Sequence, residues 1–381
     1  MDAVVLEPTA TAQAVPATPR AFAGERIAGY DVARSMALLG MFVGHFAAGF
    51  TYDATRPAWL ATFVDCYLSG RQTATFFVLV GIGVTLLSRR SVAGGDPQAI
   101  AKARKTLVCR GLFLLALGYL TFILVQWDIL RVYGVSLLMA SCLITAPSRR
   151  LLFGALAFVV GFVALFLAFD FYQNWDRANN WVYTGPWTPS GLIRNLFFDG
   201  FRSVFPWAGF VLFGMWLGRQ DLRRVALNNL FLACAVAILV VVEAGSALAL
   251  AYFPEQPGGT NTEMTRAFLG TLSMPALPLF MLAGGSLAVT VIALSVRLVE
   301  AWPGRHWQPL VATGQLALTW WITHIVFLII AMPHRLLPIV SLRSAAAYGV
   351  VFFVVAVLIS WLWKMAFRNG PLEWVMRRVA G

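Results

Sequence analysis

Apolar runs long enough to cross a bilayer recur about ten times along the chain, and this repetition constrains the fold more than any other feature. The spans read as 27–50, 73–88, 107–125, 131–146, 151–170, 203–218, 226–253, 272–296, 310–331 and 344–366. The stretch 58–70 reads as a short interfacial helix or an eleventh element. In hydrocarbon each backbone N–H and C=O must be paired within its own segment, so such runs predict helices rather than open strands. Of the 381 residues, 59% are hydrophobic and only 12% charged, where a soluble domain carries about 25% charged residues. The expected fold class is all-α, a polytopic integral membrane protein of about ten transmembrane helices. Its organisation reads as a flexible Ala-, Thr- and Pro-rich tail over 1–26, a transmembrane domain over 27–366 and a short C-terminal segment over 367–381. The tail holds no short apolar segment with a cleavage site, so the first helix is expected to remain in the mature protein.

The net charge of +12 would suggest nucleic acid in a soluble protein. Here its distribution points to the bilayer instead, and no nucleic-acid partner is expected. Of the 29 Lys and Arg, 19 fall in alternate segments, 9 in the others and Arg34 inside the first span. That bias predicts both termini on the cytoplasmic side of a plasma membrane, the inner membrane in a bacterium. The four cysteines, Cys66, Cys109, Cys142 and Cys234, form no CxxC spacing and sit in or beside apolar runs. They read as small buried hydrophobes, and no metal site is expected.

Ionisable groups inside spans are costly and therefore informative. The first span carries Asp31, Arg34 and His45. Asp31 and Arg34 are three residues apart, and His45 returns to roughly the same side about 16 Å further along the axis. The ninth span carries His324, at a depth matching that of His45 when both helices run outward. Two histidines at one depth could face a common cavity, where a neutral imidazole can serve as a general base, or they could be packing hydrogen bonds between helices. Between the third and fourth spans, Trp127, Asp128 and Arg131 form a candidate substrate-binding group, and Asp128 and Arg131 could equally be a structural pair. Asp199 and Arg202 offer a second acid–base pair ahead of the sixth span. The loop 171–202 is aromatic, with rings that could stack on sugars or form an interfacial belt. Arg89, Arg90, Lys102, Arg104 and Lys105 form the densest basic cluster, suited to a phosphate-rich ligand such as coenzyme A or to anionic lipid. No Walker-type loop and no HExxH sequence occurs, so ATP-driven transport and zincin chemistry find no support.

Several of these segments resemble known membrane proteins. The opening from Arg26 through Asp31, Arg34 and Leu39-Gly40, the run Trp127-Asp128-Ile129-Leu130-Arg131-Val132-Tyr133-Gly134 and the C-terminal Gly370-Pro371-Leu372-Glu373-Trp374 look like YeiB-like proteins. The segment from Phe205-Pro206-Trp207 to Gly214-Met215-Trp216-Leu217-Gly218-Arg219 is similar to the heparan-α-glucosaminide N-acetyltransferase catalytic family. The spacing Arg34-x10-His45 resembles the Arg-x10-His motif of the acyltransferase-three membrane enzymes. The resemblance departs at three positions: His45 stands where YeiB-like members usually carry Asn, Ser35 stands where Gly often follows the motif arginine, and the counterpart of the heparan-type active histidine falls around Pro57.

The shared superfamily implies transfer of an acyl group, acetyl in the first instance, from cytoplasmic acetyl-CoA or another acyl-CoA to a hydroxyl or amine of an extracytoplasmic glycan or glycolipid. His45 and His324 are then the expected catalytic residues. Asp31, Arg34, Arg89 and Arg90 would hold the carrier, and Asp128, Arg131, Trp127 and Arg202 the acceptor. No metal is implied, and a homo-oligomer is compatible with it. A transporter of a small solute, or a non-catalytic membrane partner, are the competing classes.

Overall fold

A computed structural model describes residues 26–48, 59–60, 63–64, 70–177, 181–253, 260–331 and 341–380. Residues 1–25 of the N-terminal tail, and 58–70 apart from 59–60, 63–64 and 70, lie outside the described residues. So does Pro57.

The described residues are helical almost throughout. The elements in order are α1 (Ala28–Ala47), α2 (Arg71–Gly94), α3 (Pro97–Leu124), α4 (Leu130–Leu143), α5 (Ser148–Ala168), α6 (Pro189–Arg194), α7 (Val204–Leu217), α8 (Val225–Tyr252), α9 (Thr260–Leu269), α10 (Pro278–Ala301), α11 (Gln308–Gln315), α12 (Ala317–Ala331), α13 (Leu342–Ala366) and α14 (Pro371–Ala380). A two-stranded hairpin pairs β1 (Trp175–Asp176) with β2 (Val182–Tyr183). Local chemistry fixes several boundaries. Gly95 closes α2 in the left-handed region, and Asp96 accepts from the Gln98 and Ala99 amides to start α3 with Pro97 in its first turn. Ser341 and Ser344 form a reciprocal capping box at α13.

Among the described residues, six helices are long and apolar enough to cross a membrane: α2, α3, α5, α8, α10 and α13. Two bent pairs raise this to eight, the 189–199 segment with α7 at 46° and the 305–315 segment with α12 at 64°. The sequence reading of ten differs in two places. The fourth expected span is α4, only 14 residues, or about 21 Å. The first is α1, 20 residues long and carrying Asp31 and Arg34.

The helices divide by what surrounds them. In their most apolar windows α5 and α8 bury only 11% and 17% of residues, while α10 buries 61%. The former therefore present their side chains outward, as lipid-facing helices do. The α1 helix lies in the interior, and even Asp31 and Ser35 on it are buried. Tight crossings make this density feasible. A Cβ at Gly81 would sit 2.1 Å from the Val211 carbonyl oxygen, and one at Gly214 would sit 2.1 Å from that of Val78. Small residues thus let α2 and α7 meet backbone to backbone.

Candidate active site

Asp31, in the first turn of α1, is only 1% exposed. A buried carboxylate must be saturated with donors, and Asp31 is. It accepts from Arg26 Nε at 2.6 Å, from Arg26 Nη2 at 3.1 Å, from Arg34, and from Gln315 Nε2 at 3.3 Å. The close approach of α11 depends on Gly314, because a Cβ there would fall 1.9 Å from the Asp31 carbonyl oxygen. Arg26, Asp31, Arg34 and Gln315 therefore form one charged junction between the start of α1 and the end of α11.

This junction borders a cavity of about 330 Å³. At its charged end stand Arg26, Arg34, Arg110, Arg377, Gln315 and Glu373. Its walls run along α2 from Leu87 back to Phe76, eleven residues or about 16 Å. They are apolar through Leu79, Val84, Leu107, Leu114 and Leu137. Beyond that middle section lie Tyr133 and Trp321. A second cavity of about 290 Å³ shares Arg26, Gln315, Glu373 and Arg377 with the first and adds Lys364 and Arg368. The space is thus cationic at one end and aromatic at the other.

Neither histidine lines the cavity, but both lie against Trp321 at its aromatic end. His45 Nδ1 lies 2.9 Å from His324 Nε2, with the rings stacked at 25°. His324 is fully buried, whereas His45 keeps part of its surface open. The hydrogen-bond chain assigns the protons. His324 Nδ1 lies 3.2 Å from the Trp320 carbonyl oxygen, which can only accept, so Nδ1 carries the hydrogen. In the neutral ring Nε2 then accepts, and His45 must donate from Nδ1. That leaves His45 Nε2 with a lone pair that finds no donor among the described residues. Trp127 meets the His45 ring edge-on at 4.6 Å between centroids, and Trp321 contacts both imidazoles, at 6.0 Å from His45 and 5.3 Å from His324.

The helix carrying His324 is itself held by the C-terminus. The break before α12 leaves its first amides without intrahelical partners. Glu373 of α14 supplies them: Oε1 accepts from the Leu318 and Thr319 amides at 2.9 and 3.0 Å, and Oε2 accepts from the Thr319 hydroxyl at 2.6 Å. A carboxylate at a helix N-terminus also suits the helix dipole. Glu373 belongs to the C-terminal segment quoted above, but only the fold reveals what it caps.

The remaining expected site residues separate. Asp128 and Arg131 are each 1% exposed and lie away from the cavity lining. Asp128 accepts from the Thr121 hydroxyl at 2.8 Å and the Arg131 amide at 3.1 Å, and Arg131 Nε is 3.7 Å from it. The Arg131 guanidinium stacks 3.4 Å from the Phe122 ring centroid and donates to Asn195 Oδ1 at 3.1 Å. Burial pushes the Asp128 carboxyl, in the α3–α4 connection, up to about 6, against the pull of Thr121 and Arg131. Asp199 does not pair with Arg202. Its carboxylate accepts from Arg194 Nε at 2.8 Å and from the Tyr183 hydroxyl at 2.7 Å, because the hairpin folds back over it. Arg202 is 4% exposed, stacks 4.7 Å from the Trp207 ring centroid and interacts electrostatically with both Tyr133 and His45. Arg89 and Arg90 are exposed near the end of α2 and line none of the cavities described here. The cavity's charged end is lined instead by Arg26, just before α1, by Arg34 of α1, by Arg110 of α3 and by Arg377 of α14. Of the loop aromatics, Trp175 and Tyr183 are buried, while Trp181 and Trp187 remain exposed. Among the described residues no group of three or more His, Cys, Asp and Glu is placed to hold a metal.

Over most of its length the chain is similar to known protein families. The model of the heparan-alpha-glucosaminide N-acetyltransferase catalytic family matches residues 26–257, and that of a family of proteins of unknown function, DUF418, matches residues 215–381. A Bacillus acidopullulyticus protein described as an uncharacterized 39.9 kDa protein in the amylase 3′ region is 26% identical over 379 residues, covering 93% of each chain. No solved structure matches. The first of these models spans α1, α2 and α3 through α8, and the chain belongs to the heparan-alpha-glucosaminide N-acetyltransferase catalytic family.

Proposed function

From that membership we propose that the protein is an integral membrane acetyltransferase, taking an acyl group from cytoplasmic acyl-CoA and passing it to a hydroxyl or amine on the far side of the plasma membrane. The acceptor class is a glycan or glycolipid. One observation carries the reading: a cavity with four arginines at one end leads through apolar walls toward a hydrogen-bonded histidine pair. The phosphates of the carrier suit Arg26, Arg34, Arg110 and Arg377. Its extended arm suits the apolar middle, and its thioester then reaches the level of Trp321 and His45.

The proposed step balances as follows. The acceptor oxygen or nitrogen attacks the thioester carbonyl carbon while His45 Nε2 takes its proton. The new C–O or C–N bond forms as a tetrahedral oxyanion. That intermediate collapses by breaking the C–S bond, and the departing thiolate receives the proton back from His45. His324 holds the His45 ring in the tautomer that this requires, as an orienting partner does in other general-base pairs. His45→Ala in lipid vesicles, supplied with labelled acetyl-CoA and a glycolipid mixture, should lose at least a hundredfold in label transfer while inserting normally. Undiminished turnover by that variant would remove His45 from the chemistry.

A further inference from the structure

Two buried donors in the aromatic section of the cavity have no hydrogen-bond partner among the described residues. They are the Tyr133 hydroxyl and the Trp321 indole N–H, on residues 7% and 5% exposed, and both residues line the cavity. Three other buried rings of these types are satisfied. Trp320, the neighbour of Trp321, donates to the Ser360 hydroxyl at 2.7 Å; Trp175 donates to the Asp199 carbonyl at 2.8 Å; Tyr183 donates to the Asp199 carboxylate at 2.7 Å. An unmade hydrogen bond at a buried donor costs about 1–3 kcal/mol, so two such donors opening onto one cavity point to an acceptor atom that arrives with a ligand. An indole N–H cannot accept, so that ligand must present an acceptor atom to Trp321. Trp321 touches both imidazoles, and Tyr133 shares the electrostatic neighbourhood of Arg202 with His45.

We propose that Tyr133 and Trp321 donate to the thioester carbonyl oxygen and stabilise the oxyanion that forms when the acceptor attacks. This rests on the acyltransfer reading above and adds to it the groups that bear the developing charge. As the C=O bond gives its π electrons to oxygen, the Tyr133 O–H and Trp321 N–H strengthen their bonds to it, and both are released when the carbonyl re-forms and sulfur departs. Such donors act in the transition state more than in the ground state. Arg202, within electrostatic reach of Tyr133, adds positive potential on the same side.

The test pairs kinetics with spectroscopy. Tyr133→Phe keeps the ring, which packs 4.3 Å from the Phe77 centroid, and removes only the donor. It should lower kcat by about 30-fold or more with KM for acetyl-CoA changed less than about threefold. Trp321→Phe should act in the same direction. A ¹³C-carbonyl ketone analogue of acetyl-CoA, bound to the wild-type protein in lipid, should show its C=O stretch shifted to lower frequency than in water. That shift should shrink in Tyr133→Phe, which a merely structural role would not produce. Unchanged kcat and an unchanged stretch in a well-folded Tyr133→Phe would overturn the assignment while leaving acyl transfer intact. A wild-type protein that neither binds the analogue nor consumes the thioester would instead overturn the acyltransfer reading and this assignment with it.

Discussion

Asp31 with Arg34 and Asp128 with Arg131 are the same pattern in sequence: an acid and an arginine three residues apart at the start of a helical run. The fold treats them oppositely. The Arg34 side chain is 25% exposed and lines the cavity, while that of Arg131 is 2% exposed and lies against an aromatic ring. Asp31 gathers a second arginine and a glutamine from outside its own helix, so positive charge is left in excess at an open space. Asp128 is closed in by Thr121, by the Arg131 amide and by burial. A pair whose cation faces a cavity can serve a ligand. A pair whose cation is spent on Phe122 and Asn195 fastens α3 to α4 and to the segment after α6.

Four variants would break or sharpen this contrast. The largest effect is expected from Arg131→Met. Removing one partner of a buried pair strands the other charge, at a cost of about 3–5 kcal/mol, seen as a lowered midpoint of thermal unfolding in detergent. The loss should depend on pH. Burial raises the Asp128 carboxyl from 3.8 to about 6, so the fold favours its neutral form. The associated stability is complete below about 3.8 and is lost as pH rises through about 6. The Arg131→Met penalty should therefore be largest above pH 6 and shrink in acid. Asp128→Asn, which stays neutral, should flatten the pH dependence of stability over the same window. A penalty that grows on acidification would contradict the structural assignment of this pair.

Arg34→Gln should be milder for stability and sharper for function. With Arg26 still bonded to Asp31, unfolding should shift by less than about 1 kcal/mol. The KM for acyl-CoA should rise about tenfold, which corresponds to about 1.4 kcal/mol of lost phosphate contact. If Arg34→Gln instead unfolds the protein and leaves KM alone, the two pairs play the same structural part. The smallest effect belongs to the Arg89→Ala, Arg90→Ala double variant, whose residues lie outside the cavities described. Its KM should stay within about twofold of wild type. A larger change in steady-state kinetics would move the carrier's binding surface to the end of α2.

Much of the site's raw material was legible in the chain. Period and apolarity announced the helices, and the cost of ionisable groups in hydrocarbon singled out Asp31, Arg34, His45 and His324. Their depths along two helices predicted that the histidines would lie level, as they do. Charge density along the chain favours Arg89 and Arg90, whereas the cations that line the cavity, Arg26, Arg110 and Arg377, converge from the start of α1, the middle of α3 and the end of α14. No local pattern encodes that convergence. Glu373 was visible in a short motif, but its role as the cap of α12 follows from a 64° break that hydropathy reads as one continuous span. Tyr133 stood inside a quoted motif too, and nothing in sequence shows that its hydroxyl has no partner among the described residues.

What the sequence determined by itself is a consequence of solvent. Hydrocarbon forces helices, and it makes each buried charge or imidazole conspicuous, so fold class and the list of suspect residues follow from residue types and spacing alone. The tertiary structure decided which of those residues share a cavity and which are sealed into packing. It also decided which histidine nitrogen keeps its lone pair. These outcomes depend on helix breaks and backbone-close crossings, such as Gly314 against Asp31, and on hydrogen bonds between residues hundreds of positions apart. His45 and His324 are 279 residues apart in the chain and 2.9 Å apart in space; spacing along one helix carries no information about such a contact.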